Sequence, residues 1–278
     1  MELIDQLYAV TDPIERARTA GTMIEHHQAI VGEVSRVRRE ALEEMLANGM
    51  TQTQMANELD MTRGRISQLL SSGVKPERVI LGTGKLTVAI GAKREANRTD
   101  PSDTLSAESF AAFELLADTA RTYGLDASYE VIPPPGLVHL NQSNLIVLTN
   151  PRLLPFLSQV MEADPNIRYV QDETGWYLVD LNQGKEYRSP RDLGDAADYG
   201  YLGRLPRPDG KGSFLYLAGT HAPGTLGAAH YLVNNIPEIY REVKNKRFSA
   251  IIRYEFKPGD QLAKRSADRV TTLYRHES

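Results

Sequence analysis

Three segments in the last two thirds of the chain combine glycine with cationic or polar side chains, the makings of an anion site. Gly91, with Lys93 and Arg94, follows an apolar run at 86–90. Asn150, with Arg152, follows a second run at 144–149. Gly219-Thr220-His221-Ala222-Pro223-Gly224-Thr225 follows a third at 214–218 and opens directly into a helical pattern. Backbone amides at a loop-to-helix junction lack intrahelical acceptors and carry partial positive charge, so they suit a phosphate or carboxylate. Gly91, Lys93, Arg94, Asn150, Arg152, Gly219, Thr220, His221, Gly224 and Thr225 are therefore the candidate ligand-binding residues. A small, nucleotide-like anion is the candidate ligand. His221 is the natural general acid or base among them.

Other chemistries find less support. Thr225 and Leu226 follow Gly224, and Leu86 follows Gly82-Thr83-Gly84-Lys85, so neither stretch ends as a P-loop does. No Gly-x-Ser-x-Gly elbow occurs. His26 and His27 are adjacent on a helix, and His221 and His230 lack supporting ligands, so no metal site is assigned. No catalytic residue and no resident cofactor is assigned, and whether the α/β part is catalytic stays open.

The 278 residues are 41% hydrophobic and 24% charged, an ordinary folded composition. The chain has no cysteine, which removes disulfides, thiolate metal sites and cysteine nucleophiles. Apolar runs stop far short of the ~20 residues of a membrane span, and no secretory signal pattern opens the chain. A cytoplasmic protein is expected. A formal net charge of −4 argues against nonspecific coating of nucleic acid, so any DNA binding must be local.

Two textures position these residues. Residues 1–75 read as helical: Asp12-Pro13-Ile14-Glu15 is a start signal, and Val34, Val37, Ala41, Leu42, Met45 and Leu46 form a stripe expected to be buried. Asn48-Gly49 is a stop. Residues 76–257 alternate strands with helices at 106–123, 153–162 and 225–243, which predicts an α/β domain with a largely parallel sheet. Strands at 168–171, 176–181 and 185–188 predict an inserted antiparallel β-meander. Residues 190–212, rich in Asp, Gly and Pro, read as a long exposed excursion, and 258–278 as a frayed polar tail.

Within the helical part, 52–71 satisfies the packing of two short helices joined by a tight turn. Met55 and Leu59 are placed inward, Ala56 is small where the helices meet, Asp60 tolerates the turn and Met61 plugs it. Ile66 and Leu69 are the inward face of the second helix, with Thr62 as its N-cap. This segment resembles the helix-turn-helix of sigma-factor region 4 and related bacterial transcriptional regulators, over about residues 36–72. The resemblance implies that the second helix enters the major groove of double-stranded DNA. Thr62, Arg63, Gly64, Ser67 and Gln68 would face the DNA, with Arg63 reading guanine and Gln68 adenine. Arg65, Thr51 and Gln52 would hold phosphates.

Basic and acidic residues balance between Glu33 and Arg78, seven of each, so one such unit alone should bind DNA weakly. Pairing two units on one duplex compensates through effective concentration. Ile14, Ala17, Met23, Ile24, Ile30 and Val31 offer an apolar surface for a homodimer, or for packing within the same domain. The three glycine loops are similar in layout to those of Rossmann-like nucleotide-sensing domains. Three readings follow: a dimeric regulator sensing a small anion, a nucleotide-processing enzyme with a DNA- or protein-binding head, or a docking scaffold.

Overall fold

The computed structural model describes residues 2–47, 49–71, 76–82, 84–96 and 99–276. The chain divides into two compact units, Met1–Pro76 and Glu77–Ser278. Asn48, Gly73 and Thr83 lie outside the described residues.

The first unit is built from α1 (Glu2–Ala9), α2 (Pro13–Ala47), α3 (Gln52–Glu58) and α4 (Arg63–Ser71). Asp12 Oδ1 accepts from the Ile14 amide at 3.0 Å, and Pro13 occupies the first helical position, where no amide is needed. Gly49, at φ +86°, ends α2 in the left-handed conformation. Thr51 and Gln54 form a reciprocal capping box at the start of α3. Asp60, at φ +50°, makes the turn, and Thr62 Oγ1 accepts from the Arg65 amide at 3.1 Å to start α4. Leu42, Met55, Ala56 and Ile66 are buried together, flanked by Met45, Met50, Met61, Leu69 and Leu70.

Two expectations fail here. Leu59 is 38% exposed rather than inward, and of the α2 stripe only Leu42 is buried and Met45 half-buried, while Val34, Val37 and Leu46 are 62%, 56% and 40% exposed. The small core of this unit takes only Leu42 and Met45 from α2, so the earlier stripe positions lie outside it.

The second unit is mixed α/β around an eight-stranded sheet of order β12-β11-β9-β10-β5-β1-β4, with β13 paired to β11. In chain order its strands and helices begin with β1 (Leu86–Gly91), β2 (Lys93–Arg94), β3 (Asp103–Thr104), α5 (Ala107–Thr122), β4 (Ala127–Ile132) and β5 (Leu145–Leu148). Next come α6 (Leu157–Val160), β6 (Ile167–Asp172), β7 (Gly175–Asp180), β8 (Lys185–Tyr187), β9 (Ala197–Pro206) and β10 (Ser213–Gly219). The unit closes with α7 (Ala222–Asn234), α8 (Ile236–Val243), β11 (Phe248–Lys257), β12 (Asp260–Arg269) and β13 (Tyr274–Arg275). Alternate residues of β10 serve opposite faces: Leu215 and Leu217 meet α5, α7 and α8, while Phe214, Tyr216 and Ala218 meet α6 and the sheet β6-β7-β8. Strands covered on both faces are apolar throughout, as Leu145–Leu148 is.

The sheet is not largely parallel. Only β4, β1, β5 and β10 run parallel; β9, β11 and β12 run antiparallel to their neighbours. Residues 190–212 are exposed only at 191–195 and 208–212, because between them β9 lies inside the sheet between β10 and β11. Its Gly200 disguised it: a Cβ there would collide with the Gly224 carbonyl of α7, so close packing demands the glycine. Residues 258–278 are not a frayed tail over their described part, since β12 pairs with β11 as an edge strand. Charged Asp260, Lys264, Arg265, Asp268 and Arg269 read as tail but suit a half-solvated edge. The helix expected at 225–243 breaks at Asn235, and that expected at 153–162 shrinks to α6 and a 3₁₀ turn after Pro155. No helix among the described residues is long and apolar enough to cross a membrane.

Candidate functional site

Because β1, β5 and β10 are parallel neighbours, Gly91, Leu148 and Gly219 end at one sheet edge. A cavity of about 350 Å³ opens there. Of the residues expected to bind ligand, Gly91, Lys93, Asn150, Arg152, His221 and Thr225 line it. Glycine is required at 91, where a Cβ would collide with Thr149 Oγ1. The Lys93 ammonium and Arg152 guanidinium are exposed and make no hydrogen bond or ion pair with another described residue. Arg94, Gly219, Thr220 and Gly224 do not line the cavity: Arg94 is exposed and 3.9 Å from Asp103, and the other three are buried.

The loop into α7 is filled from within. Asp198, fully buried at the start of β9, accepts from the His221 amide at 3.0 Å and the Gly224 amide at 2.7 Å through Oδ2. Its Oδ1 accepts from Ser189 Oγ at 2.6 Å and from Thr220 Oγ1. Thr220 donates its amide to Tyr199 O, and Gly219 donates to Thr225 Oγ1 at 2.8 Å. The Gly219 carbonyl accepts from Asn150 Nδ2 at 3.2 Å and from Tyr169 Oη. Burial first, then Tyr216 and Asp198, pushes the Tyr169 phenol well above its ordinary range, so it stays a donor. The expected phosphate cradle at Gly219–Gly224 is therefore satisfied by a carboxylate of the chain itself.

The opposite wall comes from α5 and from residues distant in sequence. Ser106 Oγ accepts from the Ser109 amide at 3.1 Å and donates to Ser109 Oγ at 2.8 Å, capping α5. With its amide nitrogen toward the carboxylate, Gln261 donates to Glu108 Oε1 at 2.5 Å and accepts from Arg191 Nη2 at 2.9 Å. Thr149, 5% exposed, carries a buried Oγ1 with no partner among the described residues. His221 Nε2 lies 2.8 Å from Asp192 Oδ1 at the solvent side.

In the first unit, Arg63, Gly64, Arg65, Ser67 and Gln68 are all exposed on α4, while Ile66 is fully buried behind them. Thr51 is exposed and Gln52 half-buried at the start of α3, and Thr62 is exposed at the α4 cap. Arg65 Nη1 donates to Gln68 Oε1 at 2.7 Å. A Cβ on Gly64 would approach nothing closer than Thr62 Oγ1 at 4.0 Å, so no neighbour in the chain demands glycine there.

No protein-family model, curated protein or solved structure matches the chain. The residues therefore carry the functional argument alone.

Sequence reasoning missed Thr149, Ser106, Glu108, Ser109, Arg191 and Gln261 as cavity residues and Asp198 as the internal anion. The helix start at Ser106 was readable, and a parallel neighbour of β1 would have brought it to this edge. Gln261 gave no signal, since it stands in the segment read as tail.

Proposed function

We propose that the protein is a homodimeric DNA-binding transcriptional regulator of the cytoplasm. In this reading the first unit is a helix-turn-helix head for double-stranded DNA. The second is a Rossmann-like sensor of a small anion, with β6-β7-β8 as its inserted meander. The observation that carries the reading is α4, with a polar, exposed face of Arg63, Gly64, Ser67 and Gln68 backed by fully buried Ile66. A glycine that packing does not require suits a helix brought close to another surface. For Gln68 to read adenine with both ends of its amide, Arg65 must release it and turn to a phosphate.

Dimerisation is supported by α2. Ala20, Met23, His27, Ile30, Val34, Val37 and Ala41 recur at alternating spacings of three and four, the seam of a coiled coil. Ile30, Val34 and Val37 are 45%, 62% and 56% exposed, an apolar stripe that a second copy would cover. Ligand binding would act on DNA only by favouring one arrangement of the two heads over another.

Selection of bound duplexes from a random pool tests the reading, with a footprint of the winner repeated for Arg63→Ala. Loss of ~1–3 kcal/mol of specific binding is expected in the variant. Failure to enrich any sequence would refute the DNA-reading role. Enzymatic processing is favoured only by the His221–Asp192 contact at the cavity, and turnover of an anionic substrate abolished by His221→Ala would support it.

A further inference from the structure

We infer that the cavity takes a phosphorylated polyol, the chemical class of a sugar monophosphate, rather than a nucleotide gripped by its base. The inference rests on the reading of the second unit as an anion sensor and narrows its ligand. Two helices start at this sheet edge, and they are not equivalent. The α7 N-terminus already faces the buried Asp198 carboxylate, which takes the His221 and Gly224 amides. A second anion would find those amides already taken. The α5 N-terminus is different: among the described residues its Ala107 and Glu108 amides have no acceptor, and the Lys93 and Arg152 side chains line the same cavity with no hydrogen bond or ion pair to another described residue. A phosphate belongs on that side, where helix amides and two cations converge.

The rest of the wall suits hydroxyl groups. Glu108 is a carboxylate in an otherwise cationic cavity, and it would only repel a bare anion. It becomes useful when the ligand also carries O–H donors, which a carboxylate accepts strongly. Gln261, held between Glu108 and Arg191, fixes that carboxylate and presents a second polar edge. Thr149 adds a buried hydroxyl without a partner, in a residue of the cavity wall. Among the lining residues there is no Phe, Tyr or Trp, and the imidazole of His221 is turned by its Nε2 to Asp192; the apolar ones are Leu148, Leu153, Ala222 and Pro223. A base finds no phenyl, phenol or indole to stack on here, and the volume of about 350 Å³ is at the small end for ligand sites.

Isothermal titration of the full chain tests this. The probes are a triose, a pentose and a hexose monophosphate, with the unphosphorylated pentose, inorganic phosphate and adenosine monophosphate as comparisons. At least one sugar monophosphate should bind about tenfold or more tightly than both inorganic phosphate and the free pentose. Arg152→Ala should weaken that binding about tenfold to a hundredfold, as loss of a charge-assisted hydrogen bond does. Glu108→Gln should weaken the sugar monophosphate about tenfold while leaving inorganic phosphate unchanged or tighter. Both variants are checked for native Trp176 fluorescence first, and Lys93→Ala stands in for Arg152→Ala if the latter misfolds. Tighter binding of adenosine monophosphate than of the pentose monophosphate, lost in Arg152→Ala, overturns the ligand class and leaves the anion sensor standing. Absence of saturable binding by every anion at millimolar concentration overturns both.

Discussion

Replacing Asp198 by alanine should destabilise the second unit far more than replacing it by asparagine, and the two losses measure different things. The carboxylate receives two backbone amides and two hydroxyls in a fully buried site. Alanine orphans the His221 and Gly224 amides, at about 1–3 kcal/mol each. Ser189 Oγ loses its acceptor as well, whereas Thr220 Oγ1 keeps Tyr199 O at 3.3 Å. The sum is about 4 kcal/mol, a large share of the roughly 5–15 kcal/mol that holds a domain folded. Asparagine can turn its carbonyl to the two amides and its NH₂ to the hydroxyls, which then accept. What it loses is the negative charge at the α7 N-terminus, about 1–2 kcal/mol in a buried geometry. Urea unfolding followed by Trp176 fluorescence is the assay, since this single tryptophan lies on β7 of the second unit. A loss below about 1 kcal/mol for Asp198→Ala would refute the view that these amides depend on Asp198. Equal losses for the two variants would show that charge, not hydrogen bonding, carries the interaction.

His230 stacks on Tyr254 and is held down to about 4, by burial and then by Lys264, against an ordinary value of 6.5. The unfolded chain therefore takes up a proton that the fold refuses, and stability should fall as pH drops from about 6.5 to about 4. Because His230 is only half-buried, the fall should not exceed about 2 kcal/mol, and His230→Phe should flatten that part of a pH–stability curve. Val34→Asp, on the exposed α2 stripe, should convert a dimer to a monomer by light scattering and weaken DNA binding about a hundredfold, while a monomeric parent protein would end the dimer proposal. Arg204, 3% exposed, donates to Val79 O and Ile80 O at 3.0 and 2.9 Å, so Arg204→Met should cost about 2–4 kcal/mol in urea unfolding by orphaning both carbonyls; an unchanged midpoint would show that they find other donors.

Local signals were legible where one short segment both makes a structure and satisfies it. Asp12-Pro13, Gly49 and Thr62 announce helix ends because their signals close within a few residues. The apolar strands β1, β5 and β10 were legible because both faces are covered and the run is unbroken. The cavity followed in part, since parallel strands bring Gly91, Lys93, Asn150, Arg152 and His221 to one edge. Strands with long-range reasons for their composition were not legible. In β9, Asp198 is polar because it meets α7, and Gly200 is small because α7 lies against it. In β12 alternate residues face solvent, so the run carries little hydrophobic signal. The walls of the cavity joined Ser106 to Gln261, a separation that no local spacing encodes.

The glycine-rich loop 219–227 shows why such a segment misleads. Glycine there permits close approach of backbone to backbone: a Cβ at Gly224 would collide with Tyr199 O, and one at Gly200 would collide with Gly224 O. Close approach brings a carboxylate on β9 within reach of helix amides, and the carboxylate satisfies them as a phosphate would. The pattern of small residues before a helix thus reports that something anionic sits at its N-terminus, and not whether that anion is a ligand or a side chain. The deciding residue is an acid on the neighbouring strand. Asp198 stands on β9, one strand from β10, and commits α7 to folding; at α5 the acid is Glu108, within the helix's own first turn and bonded to Gln261, which leaves the leading amides open. The loop around Gly219–Gly224 thus belongs to the core, and the donors left open at this edge are those of the α5 start, Lys93 and Arg152.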